Sequence, residues 1–146
     1  MVSDITRHRR AFWEFFAEDQ PALNARTVRG NESSRWLAVD AIVVVHYVAT
    51  GGVGIFVRGA RGTRSGLIRQ FLFPHREFLV ASLGRENLRL AENFLLGFSL
   101  RADMAERSNW PRATAWLAEQ SSIYERAMAQ LQLEARQANL KSRDAL

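Results

Sequence analysis

The stretch from Arg35 to Arg58 constrains this chain more than any other. Val39, Ile42, Val43, Val44, Val45, Tyr47 and Val48 crowd β-branched and aromatic side chains ahead of Gly51-Gly52, and Val53, Ile55, Phe56 and Val57 follow it. Such side chains pack well on a pleated surface, and glycine tolerates the positive φ of a tight two-residue turn. The stretch therefore predicts a β-hairpin turning at Gly51-Gly52. That turn would place Val48 opposite Ile55, Tyr47 opposite Phe56 and His46 opposite Val57. Apolar side chains then occupy both faces. A strand apolar on both faces is ordinarily covered on both, so helices are expected on one side and another layer or a second copy on the other. A homo-oligomer is the expected assembly.

The flanks follow the helical period. Ser3 or Asp4 can cap a helix running to about Ala17, with Ile5, Phe12 and Phe16 on one stripe and Trp13 and Phe15 widening it. Gln20-Pro21 ends it, because the residue before proline is pushed out of the α region. Pro21 to Ser34 shows neither period and reads as a loop or a short irregular strand. Beyond the hairpin, Leu67, Ile68, Phe71, Leu72, His75, Phe78 and Leu79 keep a helical period up to a stop at Gly84. Proline inside a helix costs about 3 kcal/mol, so this middle helix is expected to be kinked or broken at Pro74. Residues 87–101 alternate apolar and polar and predict one or two further strands. Ser108-Asn109-Trp110-Pro111 then opens a long helix through Trp116, Leu117, Tyr124, Met128 and Leu131 to Arg136 or beyond.

The expected class is α+β: an N-terminal helix, an antiparallel sheet with a central β-hairpin, the interrupted middle helix, further strands and a long C-terminal helix. The 146 residues suit a single domain, with the tail after about 137 extended or frayed.

Several kinds of chemistry are excluded by residue type. The chain has no cysteine, which removes disulfides, thiolate metal sites and a cysteine nucleophile. No apolar run reaches membrane-helix length and no signal-peptide pattern opens the chain, so a cytoplasmic protein without membrane association is expected. All basic residues but Lys141 are arginine, so the lysine of a restriction-type nuclease centre is missing before that position. Gly52-Val53-Gly54-Ile55-Phe56-Val57 starts like a dinucleotide fingerprint, but Val57 stands where the third glycine belongs and the run leads into a strand. The Gly59 to Gly66 loop lacks the Gly-Lys-Ser/Thr of a phosphate loop, although its glycines and arginines could still meet an anion. Asp40 and His46, read on one strand, would stand about 20 Å apart and form no dyad. His8 and His75 have no second ligand at helical spacing, so neither a metal nor a cofactor is expected. An enzyme would need a pocket gathering Asp40, His46 or Glu92, and a non-enzymatic chain is expected.

Charge remains. No acidic residue lies between Asp40 and Glu77, whereas Arg58, Arg61, Arg64, Arg69 and Arg76 all do. Arginine suits bidentate contacts to phosphate. The candidate site is therefore an Arg-rich surface of Arg58, Arg61, Arg64 and Arg69, with nucleic acid as the candidate partner. The alternative is a structural or protein-partner module whose arginine content is compositional. Three of the four tryptophans Trp13, Trp36, Trp110 and Trp116 stand at expected helix or strand starts and faces where core packing explains them, so core is the reading preferred over stacking platforms for bases.

Four short segments resemble a bacterial family of domains of unknown function, often fused behind restriction-endonuclease-like domains. They are His8-Arg9-Arg10-Ala11-Phe12-Trp13, Trp36 followed by Asp40, His75-Arg76-Glu77 with Leu83-Gly84, and Asn109-Trp110-Pro111 with Trp116, and the likeness covers most of residues 5–130. The resemblance implies a unit of helix, antiparallel strands, helix, strands and long helix, and a restriction-type partner protein. It implies no catalytic residues. The strands after Trp36 are more apolar than the family pattern, and the middle helix is more hydrophobic.

Overall fold

The computed structural model describes residues 3–91 and 93–144. Ser3 caps α1 (Asp4–Asp19), its hydroxyl accepting the Thr6 N–H at 3.1 Å. The helix buries Phe12, Trp13 and Phe16. Ile5 leaves the expected stripe and instead lines an open hollow beside Val48 and Ala49. Pro21 pre-sets φ for a short α2 (Pro21–Arg26), and β1 (Val28–Asn31) follows, so the segment read as a loop or irregular strand holds both a helix and a strand.

The remaining strands are β2 (Ser34–Val39), β3 (Ile42–Ala49), β4 (Gly52–Gly59) and β5 (Leu95–Arg101). The five lie in chain order in one antiparallel sheet. The central hairpin is present, but it turns at Thr50-Gly51 and not at Gly51-Gly52. Ala49 pairs with Gly52, Val48 with Val53, Tyr47 with Gly54 and His46 with Ile55. Gly52 belongs in the ladder because the Leu100 carbonyl of β5 occupies the space a Cβ would need. Every partner moves by two residues, so each side chain keeps its expected face.

A second correction concerns the run before it. Trp36 to Thr50 is not one strand: Val39 pairs with Ile42 across a turn at Asp40-Ala41. Asp40 takes the left-handed φ of 56° that aspartate tolerates better than most residues.

The middle helix is broken at the proline. α3 (Ser65–Leu72) passes through a 3-10 turn at Phe73–His75 into α4 (Arg76–Leu83), which Gly84 ends at φ 70°. Of residues 87–101 only β5 is a strand; Leu88 and Leu90 pack against the core without pairing. The last helix, α5 (Trp110–Asp144), is 35 residues long. It continues through the segment after about 137 expected to be extended or frayed. Good helix formers fill that segment, and Lys141 and Arg143 complement the negative end of the helix dipole.

The core lies between the helices and one face of the sheet. Leu37, Val44, Ile55 and Val57 pack with Leu72, Leu79, Tyr124, Met128 and Leu131. Val48 and Val53 pack with Phe12, Trp13, Phe16, Trp110 and Leu117. No helix among the described residues is long and apolar enough to cross a membrane.

Candidate functional site

Strand alternation puts Trp36, Val43, Val45, Tyr47, Phe56 and Arg58 on the sheet face turned away from the core. Trp36, Val45 and Phe56 form one cross-strand row, and Val43 with Arg58 another. Val43 and Val45 are buried although they belong to neither core cluster. Their larger neighbours in these rows provide the screen.

Tyr47, Phe56 and Phe94 form an aromatic triangle. Ring centroids stand 5.9 Å apart for Tyr47–Phe56, 6.0 Å for Tyr47–Phe94 and 4.8 Å for Phe56–Phe94, all tilted or edge-on. Such geometry suits the quadrupoles of aromatic rings. The Tyr47 ring lies over Gly54, where any Cβ would collide with it. The second glycine of Gly52-Val53-Gly54 thus makes room for an aromatic ring, not for a nucleotide. Phe94 reaches this face from a bulge: β5 carries an extra residue between the Ile55–Phe98 and Val57–Leu95 pairs. Phe94 and Leu96 take left-handed φ values of 55° and 56° there. A bulge bends its strand and re-aims side chains.

Charge is interleaved with the rings. The guanidinium carbons of Arg58 and Arg61 lie 4.4 and 4.5 Å from the Trp36 ring centroid. Arg58 Nε donates to the Gly59 carbonyl at 3.0 Å, and Arg61 Nη2 to the Gly30 carbonyl at 3.3 Å. Stacking holds each guanidinium against the ring, and its fork carries more N–H donors than the one bond it makes here uses. Arg89 stands 5.7 Å from the Phe94 centroid and donates to the Asn93 carbonyl at 3.2 Å.

Two hollows mark the face. One of about 360 Å³ is walled by Ser33, Trp36, Tyr47 and Phe56; the other, of about 300 Å³, by Gly59, Thr63, Ser65 and Asn93. Phe56, Arg58 and Phe94 line both, and the described residues lining them include no carboxylate.

The fold thus brings Arg58 and Arg61 together. Arg64 is exposed at the N-cap of α3, on the loop that borders the second hollow. Arg69 is drawn away: its Nε donates to the Leu90 carbonyl at 2.6 Å, and it lines a separate hollow with Phe73 and Pro74. Trp36 departs from the preferred reading of the tryptophans as core, while Trp116, also half-buried, packs against the core. Trp13 and Trp110 are buried, whereas Trp36 is half-buried on the outer face. Tyr47, Phe56, Phe94 and Arg89 were not singled out as site residues either. Alternation was the available signal for Tyr47 and Phe56, both in phase with Trp36 across the sheet. No local pattern announces the bulge that delivers Phe94.

Of the polar residues of the enzyme alternative, Asp40 and His46 do not meet. His46 is fully buried on the inner face, where its Nδ1 donates to the Arg35 carbonyl at 3.1 Å and its Nε2 has no partner. Burial pushes its pKa down to about 4 against the opposing effect of that hydrogen bond. Asp40 sits in the β2–β3 turn, 3.5 Å from Arg136. Glu92 lies outside the described residues. Among the described residues, no group of three or more His, Asp or Glu could hold a metal ion. No family model, curated protein or solved structure matches the chain. The site rests on its own geometry.

Proposed function

We propose that the protein is a non-enzymatic accessory domain that associates with nucleic acid through the outer face of its sheet. The observation that carries this is the stacking of Arg58 and Arg61 on Trp36. A guanidinium already held on a ring loses little freedom when it meets a phosphate. Contacts of this kind position a protein on the backbone and supply salt-dependent affinity without reading sequence. Any cutting would fall to a restriction-type partner protein, as the family resemblance implies.

Fluorescence anisotropy with a labelled oligonucleotide tests the proposal. Affinity should fall steeply between about 50 and about 200 mM salt, and Arg58→Ala with Arg61→Ala should lower the slope of log affinity against log salt by about two. Binding that ignores salt, or survives the double substitution unchanged, would overturn it.

A second reading is self-association on the same face. It is favoured by Phe94, 47% exposed beside Tyr47 and Phe56, which among the described residues belong to neither core cluster. A structural homo-oligomer with no nucleic-acid role predicts a concentration-dependent dimer by light scattering and no oligonucleotide retention.

A further inference from the structure

We infer that this face takes unpaired nucleic acid, with bases stacking on Phe94 and its aromatic neighbours while the backbone follows Arg58, Arg61 and Arg89. The inference rests on the nucleic-acid reading above and adds the form of strand that is bound. A duplex shows a protein its phosphates and groove edges, but the flat faces of its bases are hidden in the stack. A surface made only for duplex phosphates needs arginines and has no use for exposed rings. Single strands offer both charge and π faces, and proteins that hold them combine a basic track with aromatic platforms.

Here the two kinds of group alternate side by side: Arg58 and Arg61 on Trp36, and Arg89 on Phe94, which in turn meets Phe56 and Tyr47. The described lining of both hollows lacks a carboxylate that would repel a backbone. Phe94 is the decisive residue. Nearly half of its surface stays exposed, yet it and Leu96 both occupy left-handed backbone conformations that side chains with a Cβ rarely adopt. Tyr124 and Arg85 support that bulge from the core side. The fold accepts local strain to hold an apolar ring out beside Arg89 and Arg58, and strain of this kind gathers at ligand sites.

DNA and RNA single strands share the required chemistry, and separate arms distinguish them. Anisotropy titrations of the full chain would use oligothymidylate and oligouridylate of about a dozen nucleotides, within the usual footprint of one such module. An abasic strand of equal length and a matched duplex complete the set. At least one base-bearing strand should bind ten-fold or more tighter than both the abasic strand and the duplex. Phe94→Ala should weaken that strand by five-fold or more and leave the abasic strand unchanged, whereas Phe94→Trp, which keeps a π face, should retain the preference. Duplex or abasic strand binding as tightly as the base-bearing strands, or Phe94→Ala without effect, would overturn the single-strand inference and leave the phosphate reading standing. Binding of none of the four would overturn both. In that case, a dimer that Phe94→Ala dissolves would assign the face to a second copy.

Discussion

The hydroxyl of Tyr124 on α5 donates a hydrogen bond to the carbonyl of Leu96 in the bulge of β5, and Arg85 donates to the same hydroxyl. Tyr124 is fully buried, and burial pushes its pKa up to about 12 against the opposing charge of Arg85, so the proton it donates is present at all physiological pH. The longest helix thereby pins the irregular backbone that aims Phe94 at the opposite face of the sheet. A residue in the core thus governs the outer surface.

Tyr124→Phe should therefore do more than remove one bond. The Leu96 carbonyl and Arg85, whose Nη1 is already buried without a partner, both lose a contact. A buried group left unsatisfied costs about 1–3 kcal/mol. Urea unfolding should show a loss of that order, and hydrogen exchange should quicken at the Leu96 and Gly97 amides of the bulge, which bond to the Arg89 and Phe94 carbonyls. Unchanged exchange would show that the bulge holds itself.

The β2–β3 turn offers a contrast between a buried and an exposed tie to α5. Gln132 accepts the Ala41 N–H at 2.9 Å and donates to the Val39 carbonyl at 2.7 Å. Four residues on, Arg136 reaches Asp40 at 3.5 Å, with both side chains more than half exposed. Gln132→Leu should cost about 1–3 kcal/mol in denaturant unfolding, while Arg136→Ala should stay within about 1 kcal/mol of the parent.

His46 predicts a pH dependence. Its folded pKa, about 4, lies below its ordinary value of 6.5, so below that value the unfolded chain binds the proton more readily. The stability of the neutral buried ring is present above about pH 6.5 and is lost progressively as pH falls toward 4. The shift corresponds to about 3 kcal/mol. Unfolding midpoints at pH 7 and pH 4 should differ less in His46→Leu than in the parent chain. Equal differences would mean that His46 does not titrate with folding.

Two neighbouring glycines should respond oppositely. At Gly54 a Cβ collides with the Tyr47 ring, so Gly54→Val should destabilise by about 1–3 kcal/mol and disturb the aromatic triangle, despite the better strand propensity of valine. Gly51 has open space around it and no left-handed φ. Gly51→Ala should be neutral or stabilising by up to about 1 kcal/mol, because it restricts only the unfolded chain. Thermal melts of both variants provide the comparison.

Gly51 also shows how far the residues alone could be read. The hairpin, its antiparallel sense and its inward face were legible, because alternation survives a shift of two residues in pairing. The turn itself was not, since the need for a bare Gly52 comes from the Leu100 carbonyl on β5, distant in sequence. Asp40-Ala41 was hidden for a related reason: the apolar run continues across that short turn with no glycine or proline to mark it. At the candidate site, Arg58 and Arg61 were legible as charge. Their partner Trp36 was not, and Arg69 is diverted by a carbonyl contributed by a different segment.

Short-range sterics and backbone hydrogen bonding settle the elements: Ser3 starts α1, Pro74 breaks the middle helix, Gly84 stops it and Pro111 opens α5. Each of these effects acts within a turn or two of chain, so residue order suffices to specify it. The chemistry of the outer face is decided at longer range. Which arginine lies on which ring depends on the pairing of β2, β3 and β4, on an extra residue in β5, and on a tyrosine hydroxyl arriving from α5. Only when those strands and that helix pack together do Trp36, Phe56, Phe94, Arg58 and Arg61 become neighbours.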